Sequence, residues 1–247
     1  LAFDFSTIYT SLTAADLHSV LQTWYGVLSP GAWPCHVLSN HDQSRAASRL
    51  CAGADNEAKK RVLAALLLTQ RGTPFLYYGE EIGMEDGVIA RKDLQDPLGK
   101  KYYPFHPGRD RSRTPMQWTG DSAAGFTEGK PWLPINKDFR KRNVEAQQRD
   151  PSSLLHWYRD LITLRQEEPA LLDGSIEFFE TGLQENVLAY ARRKAGSEVL
   201  VVLNVSGQTR PNPIRRGGTV LLSTHRKPQG TIEHDTRLAP WECTVYR

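Results

Sequence analysis

The residues best placed to do chemistry follow the apolar run that ends at Leu38. Asn40, His41 and Asp42 come in succession, with Arg45 and Arg49 behind them. In a parallel strand-and-helix array, side chains at the carboxyl ends of strands face the ligand crevice, so polar groups there are candidate ligand contacts. A structural alternative stands beside this, in which Asn40 and Asp42 cap a turn and brace the next segment. Glu80 and Glu81 end a third apolar run and could be taken for catalytic carboxylates. Arg109 and Arg113 each offer a planar guanidinium with several donors for vicinal oxygens. Their structural alternative is an ion pair with Asp110 or Glu80.

The elements that must position these groups are legible as alternating strands and helices. Residues 1–9 read as a strand, and Thr13 caps a helix whose Ala14, Leu17, Leu21 and Trp24 recur at helical spacing. Residues 33–40 give a second strand, and residues 56–72 a second helix, with Val62, Leu63, Leu66 and Leu67 inward and Gly72 at its stop. Residues 73–84 are a third apolar run. Strands separated by helices imply a parallel sheet, hence an α/β fold class.

From about residue 85 to 150 no period holds, while Trp118, Phe126, Trp132 and Phe139 argue for an ordered excursion beside a site. A helix with Leu154, Leu155, Tyr158, Leu161, Ile162 and Leu164 on one face then follows, with Pro151 in its first turn. Beyond Gly174 the pattern becomes short strands and turns, predicting a small antiparallel β domain. The expected division is residues 1–172, carrying the 85–150 excursion, and an antiparallel β-sandwich at 173–247.

Composition narrows the function. The 247 residues carry a formal charge of only +3, with Lys and Arg interspersed among Asp and Glu, which gives no footprint for nucleic acid. No apolar stretch approaches the roughly 20 residues that span a bilayer, so no membrane partner is expected. Cys35, Cys51 and Cys243 lack metal or redox spacing and read as buried free thiols, favouring a cytoplasmic location with no metal and no cofactor. The sequon at Asn204 reads as chance, and Trp241 as packing.

The run Val37 to Arg49 resembles what α-amylase superfamily members carry after the seventh strand of their (β/α)8 TIM barrel. The likeness continues through residues 72–86, GRDRSRTPMQW at 108–118, AGF at 124–126, KPWLP at 130–134 and the helix at 153–165, in the family's order. This chain is similar to the branch holding α-glucosidases, oligo-1,6-glucosidases, dextran glucosidases and trehalose synthases. The resemblance implies the C-terminal part of such a barrel, about strands 6 to 8, followed by the β domain.

The reaction it implies is retaining hydrolysis of terminal α-glucosidic bonds in short α-linked oligosaccharides. Asp42 resembles the family's third carboxylate, a transition-state stabiliser that holds the sugar hydroxyls at carbons 2 and 3, and His41 would donate to the same hydroxyls. Arg113 and Arg109 lie where family members close the substrate site, one arginine reaching the terminal glucose. Glu80 and Glu81 match a pair that orients neighbours, Arg45 and Arg49 read as loop braces, and Trp118, Phe126 and Trp132 either stack on sugar faces or pack the excursion. The family's nucleophile and acid segments have no counterpart here, and Asp4 lies within the strand that matches the sixth. The expectations are therefore a fragment lacking both groups, poorly stable and inactive by itself. The rival readings are a transglycosylase or isomerase of the same branch, or a non-catalytic relative.

Overall fold

The structure is a computed structural model and describes residues 2–29, 31–106 and 108–247. Leu1, where the first strand candidate begins, lies outside them. The elements run β1 (Ala2–Asp4), α1 (Ala14–Val27), β2 (Pro34–Val37), α2 (Ala46–Leu50), α3 (Asn56–Thr69) and β3 (Thr73–Phe75). Within the excursion lie α4 (Pro97–Tyr102) and α5 (Val144–Arg149), and then α6 (Leu154–Glu167) and α7 (Pro169–Asp173). The last part is β4 (Ser175–Phe179), β5 (Val187–Lys194), β6 (Ser197–Asn204), β7 (Arg210–Pro211), β8 (Gly218–Ser223), β9 (Thr231–Ile232), β10 (Arg237–Leu238) and β11 (Cys243–Tyr246).

The chain forms two compact units: residues 1–37, 53–75 and 158–247, and residues 38–52 and 76–157. In the first, β1, β2 and β3 make a parallel sheet in that order, with Phe3 opposite Cys35 and Val37 opposite Phe75. All four residues of β2 are buried, as a strand covered on both faces requires. No closed barrel forms among the described residues. Phe3, Phe5 and Phe75 stay about half exposed, with Phe3 stacked on Phe5 at 5.8 Å and tilted against Phe75 at 4.6 Å.

The helices form where the sequence places them. Thr13 caps α1, its hydroxyl accepting from Asp16 N at 3.2 Å, and Ala14, Leu17 and Leu21 are buried while Trp24 is half-buried. Two expected termini differ. The second helix stops at Thr69 with Gln70 extended, three residues before Gly72, and Pro151 precedes the first turn of α6 rather than lying in it.

The early stop of α3 leaves carbonyls without helical partners, and two buried arginines satisfy them. Arg165 donates to the carbonyls of Leu68 at 2.7 Å, Gln70 at 2.8 Å and Gly72 at 2.5 Å. Arg192, from β5, donates to Thr69 O at 2.6 Å and to the carbonyls of Gly174 and Ser175. Burial, then the neighbouring Arg165 charge, bring Arg192 down to about 10.

The antiparallel part is a six-stranded sheet in the order β4-β5-β6-β11-β8-β9, with β7 and β10 forming a separate two-stranded ribbon. Val187, Ala189, Ala191, Leu200, Val202, Val220 and Tyr246 share a core on one face. On the other, α1 and α7 pack on β5 and α3 packs on β6, with Tyr190 Oη 2.5 Å from Thr69 Oγ1. Trp241 is buried, its indole donating to Asp55 Oδ2 at 2.9 Å, so its role is packing. Asn204 is fully buried and donates to the carbonyls of Gln208 and Ala239, which makes it no acceptor for a glycan.

The second unit is the ordered excursion with the segment after β2. Ile82, Met84, Met116 and Leu155 form its apolar centre, with Val144 against it. Arg142 and Gln147 both donate to Ile82 O, at 3.2 and 2.9 Å, and tie the distant parts of the segment together.

Candidate functional site

The segment after β2 is built as a turn that turns two side chains outward. Asn40 Oδ1 accepts from the backbone N–H of Asp42 at 2.9 Å and of Gln43 at 3.0 Å, an Asx turn. Asn40 thus takes the capping part of the structural alternative. The Asp42 and His41 side chains are left 47% and 67% exposed. The segment is clamped behind them: Asp86 accepts from Ser44 Oγ at 2.5 Å and from Arg45 N at 2.8 Å. Arg45 is fully buried, donates to Tyr78 O at 2.7 Å and lies over the rings of Tyr77 and Tyr78 at 4.9 and 4.7 Å. Arg49 donates to Leu38 O at 2.6 Å, so both arginines act as braces.

The four candidate residues come together. Arg113 Nη2 meets Asp42 Oδ1 at 2.8 Å, while its Nε donates to the His41 carbonyl at 2.7 Å. Arg109 Nη1 approaches the same Asp42 oxygen at 3.4 Å, and His41 Nε2 lies 3.5 Å from Asp42 Oδ2. Neither arginine takes Asp110 or Glu80 as its acid partner. Asp110 is buried and accepts from the backbone N–H groups of Gln95 at 2.6 Å and Asp96 at 2.8 Å.

One participant escaped the sequence reading. Asp96 accepts from Arg109 Nη2 at 2.8 Å, from its Nε at 3.3 Å and from its backbone N at 2.7 Å. The Arg109 guanidinium holds the Asp96 carboxyl down at about 2, against the opposing effect of burial. An Asp-Pro pair at a helix start marks Asp96 as the cap of α4, but no sequence signal joins it to an arginine thirteen positions on. Asp42 and Asp96 together balance the two guanidinium charges, so Asp42 is held in place without being covered.

Glu80 and Glu81 divide as their burial differs. Glu80 is buried, with Oε2 accepting from Tyr77 N at 3.2 Å, and burial pushes it up to about 7 against the opposing Ser39 hydroxyl, Tyr77 N–H and Arg45 charge. Glu81 is half-buried and also raised by burial. Among the described residues no cluster of His, Cys, Asp and Glu is arranged to hold a metal ion, and no helix is long and apolar enough to cross a membrane.

Comparison with known proteins places this geometry in context. The family model described as "Alpha amylase, catalytic domain" matches residues 3–174. A "Probable alpha-glucosidase" of Rhizobium meliloti is 36% identical over 93% of the chain, and an "Oligo-1,6-glucosidase" of Parageobacillus thermoglucosidasius is 31% identical over 94%. The chain spans 41% and 46% of their lengths. Among solved structures, the alpha-glucosyl transfer enzyme XgtA superposes with a TM-score of 0.82 at 33% identity, over 99% of this chain and 46% of that one. With its parallel β/α segment, its antiparallel β domain and these matches, the chain belongs to the α-amylase family, beside α-glucosidases and oligo-1,6-glucosidases.

Proposed function

We propose that this chain supplies the sugar-holding portion of an enzyme that hydrolyses terminal α-glucosidic bonds of short oligosaccharides with retention. The supporting observation is the exposed Asp42 carboxylate, fixed through Oδ1 by Arg113 with the His41 imidazole on its other side. A carboxylate accepts from sugar hydroxyls and an imidazole N–H donates to them, so the pair suits a vicinal diol. As an oxocarbenium-like transition state develops, hydroxyls beside the anomeric carbon become better donors, and their bonds to Asp42 strengthen. Asp42 therefore acts on turnover more than on ground-state affinity.

In this reading residues 1–172 are the partial barrel and 173–247 the β domain. Arg113 and Arg109 close the site around the terminal glucose. The nucleophile and the acid come from residues outside this chain. Asp4 is unsuited to replace the nucleophile, being fully buried and bound by the backbone N–H of Ser6 at 2.9 Å. The buried cysteines Cys35, Cys51 and Cys243, none of them in a disulfide, suit a reducing compartment, and we place the protein in the cytoplasm. Glucosyl transfer in place of hydrolysis is the second reading, favoured by the likeness to XgtA.

The test is a chimera in which this chain replaces the matching part of the Parageobacillus enzyme. Asp42→Asn is expected to reduce kcat by roughly 10²-fold or more, from charge-assisted bonds of about 1.5–3 kcal/mol each, with little change in KM. Unchanged turnover would refute the role of Asp42. Glucose released from maltose or isomaltose by the 247-residue chain alone would refute the external position of the two carboxylates.

A further inference from the structure

Asp42 and the arginine that fixes it stand 71 positions apart in sequence, and a third stretch joins their segments behind the site. The largely buried Asp86 carboxylate receives both. Its Oδ1 accepts from the backbone N–H of Arg45 at 2.8 Å, and its Oδ2 from the Ser44 hydroxyl at 2.5 Å. The same Oδ2 lies 3.3 Å from Arg111 Nε, an ion pair with the residue midway between Arg109 and Arg113.

The backbone at this point repeats the join. Asp86 N donates to Ser48 Oγ at 2.7 Å, and Gly87 N donates to Arg111 O at 2.8 Å. So close an approach needs glycine, because a Cβ at position 87 would collide with Cγ2 of the buried Thr114. Ser39 Oγ accepts from Ala46 N at 2.8 Å and closes residues 40–45 into a loop. His41 and Asp42 belong to the free part of that loop, while Ser44 and Arg45 are its anchored end.

We infer that Asp86 is a positioning residue for Asp42, setting where that carboxylate stands relative to the Arg113 guanidinium. The inference rests on the reading of Asp42 as the carboxylate that tightens on the sugar in the transition state. Asp42 takes its backbone from one segment and its ion-pair partner from another, so its place depends on the spacing of the two. Asp86 fixes that spacing from behind and acts on Asp42 through the loop. A carboxylate suits the task, since the Arg45 N–H, the Ser44 hydroxyl and Arg111 Nε face it as donors. An amide in its place would set an NH₂ against Arg45 N–H or against Arg111 Nε. A displacement of about 1 Å in a positioned group costs on the order of 10²-fold in rate, so even slight slack in the loop should be read in turnover.

The experiment uses the chimera carrying this chain in place of the matching part of the Parageobacillus enzyme, with p-nitrophenyl α-glucoside as substrate. Asp86→Ala should lower kcat roughly tenfold and leave KM within about twofold. In an Asp42→Asn background the same change should lower kcat further by less than about twofold, because the carboxylate it positions is gone. Equal fold-losses in the two backgrounds would show a merely structural contribution and overturn the inference, as would an unchanged kcat in Asp86→Ala. Ser44→Ala removes one bond of the clamp and leaves the Arg45 and Arg111 contacts. It should lower kcat about threefold, with no further loss in the Asp42→Asn background. It decides the question where Asp86→Ala does not fold, an unchanged kcat again overturning the inference. The two readings part at Asp42→Asn alone: unchanged turnover there refutes the role of Asp42 and the inference with it, whereas a loss there with none in Asp86→Ala refutes the positioning role by itself.

Discussion

Arg113 fastens Asp42 by two of its nitrogens at once, Nη2 on the carboxylate at 2.8 Å and Nε on the carbonyl of the preceding residue at 2.7 Å. Backbone and side chain of the turn are thereby fixed together. A guanidinium can do this because its donors point in a rigid fork, which an ammonium lacks.

Arg113→Lys should therefore keep the charge and lose the geometry. Asp42 is 47% exposed, so solvent screening limits the loss to about 1 kcal/mol, roughly fivefold in kcat of the chimera with little change in KM. Steady-state kinetics of both chimeras checks this, and equal kcat values would show that charge alone suffices.

The pair of Asp96 with Arg109 should appear in acid stability. A carboxyl held at about 2 in the folded chain and near 3.9 when unfolded contributes stability fully present above about pH 4 and lost as pH falls toward 2. Partial screening at Arg109 puts the contribution on the order of 1–2 kcal/mol. Melting temperature followed from pH 5 to pH 2 should fall more steeply in the wild type than in Asp96→Asn, which starts lower; parallel curves would remove the pair from the acid transition.

Glu80 should act in the opposite direction. Its folded pKa of about 7 lies above the unfolded value, so the native state binds the extra proton between about pH 4.5 and 7, and stability declines across that window as pH rises. Above pH 7 the decline levels off. Glu80→Gln keeps the shape without the charge and should raise Tm at pH 8 relative to wild type while changing little at pH 4.5. Identical pH profiles for the two proteins would mean that the carboxylate is fully compensated by Arg45.

Arg165 gathers three carbonyls at the end of α3, and Arg165→Met should leave them buried without donors. The expected loss is on the order of 3 kcal/mol or more, measured by urea unfolding. A loss below about 1 kcal/mol would mean that water replaces the guanidinium.

The sequence by itself determined the strand-helix order, the buried faces of α1 and α3, the cap at Thr13 and the strands of the β domain, because each depends on neighbours a few positions away. It misplaced the end of α3, where Gly72 looked like the stop. The helix ends at Thr69 because Arg165 and Arg192, some 95 and more positions on, satisfy its carbonyls. Tertiary structure also decided the partners of the arginines. Asp110 and Glu80 are near Arg113 in sequence or in charge logic, yet Arg113 goes to Asp42, 71 positions away, while Asp96 claims Arg109. Ion-pair choice is a matter of through-space distance and burial, and neither is encoded in local pattern. Equally, the half-exposed rings of Trp118, Phe126 and Trp132 could be read in sequence only as stacking or packing, since exposure is set by what the rest of the chain leaves uncovered.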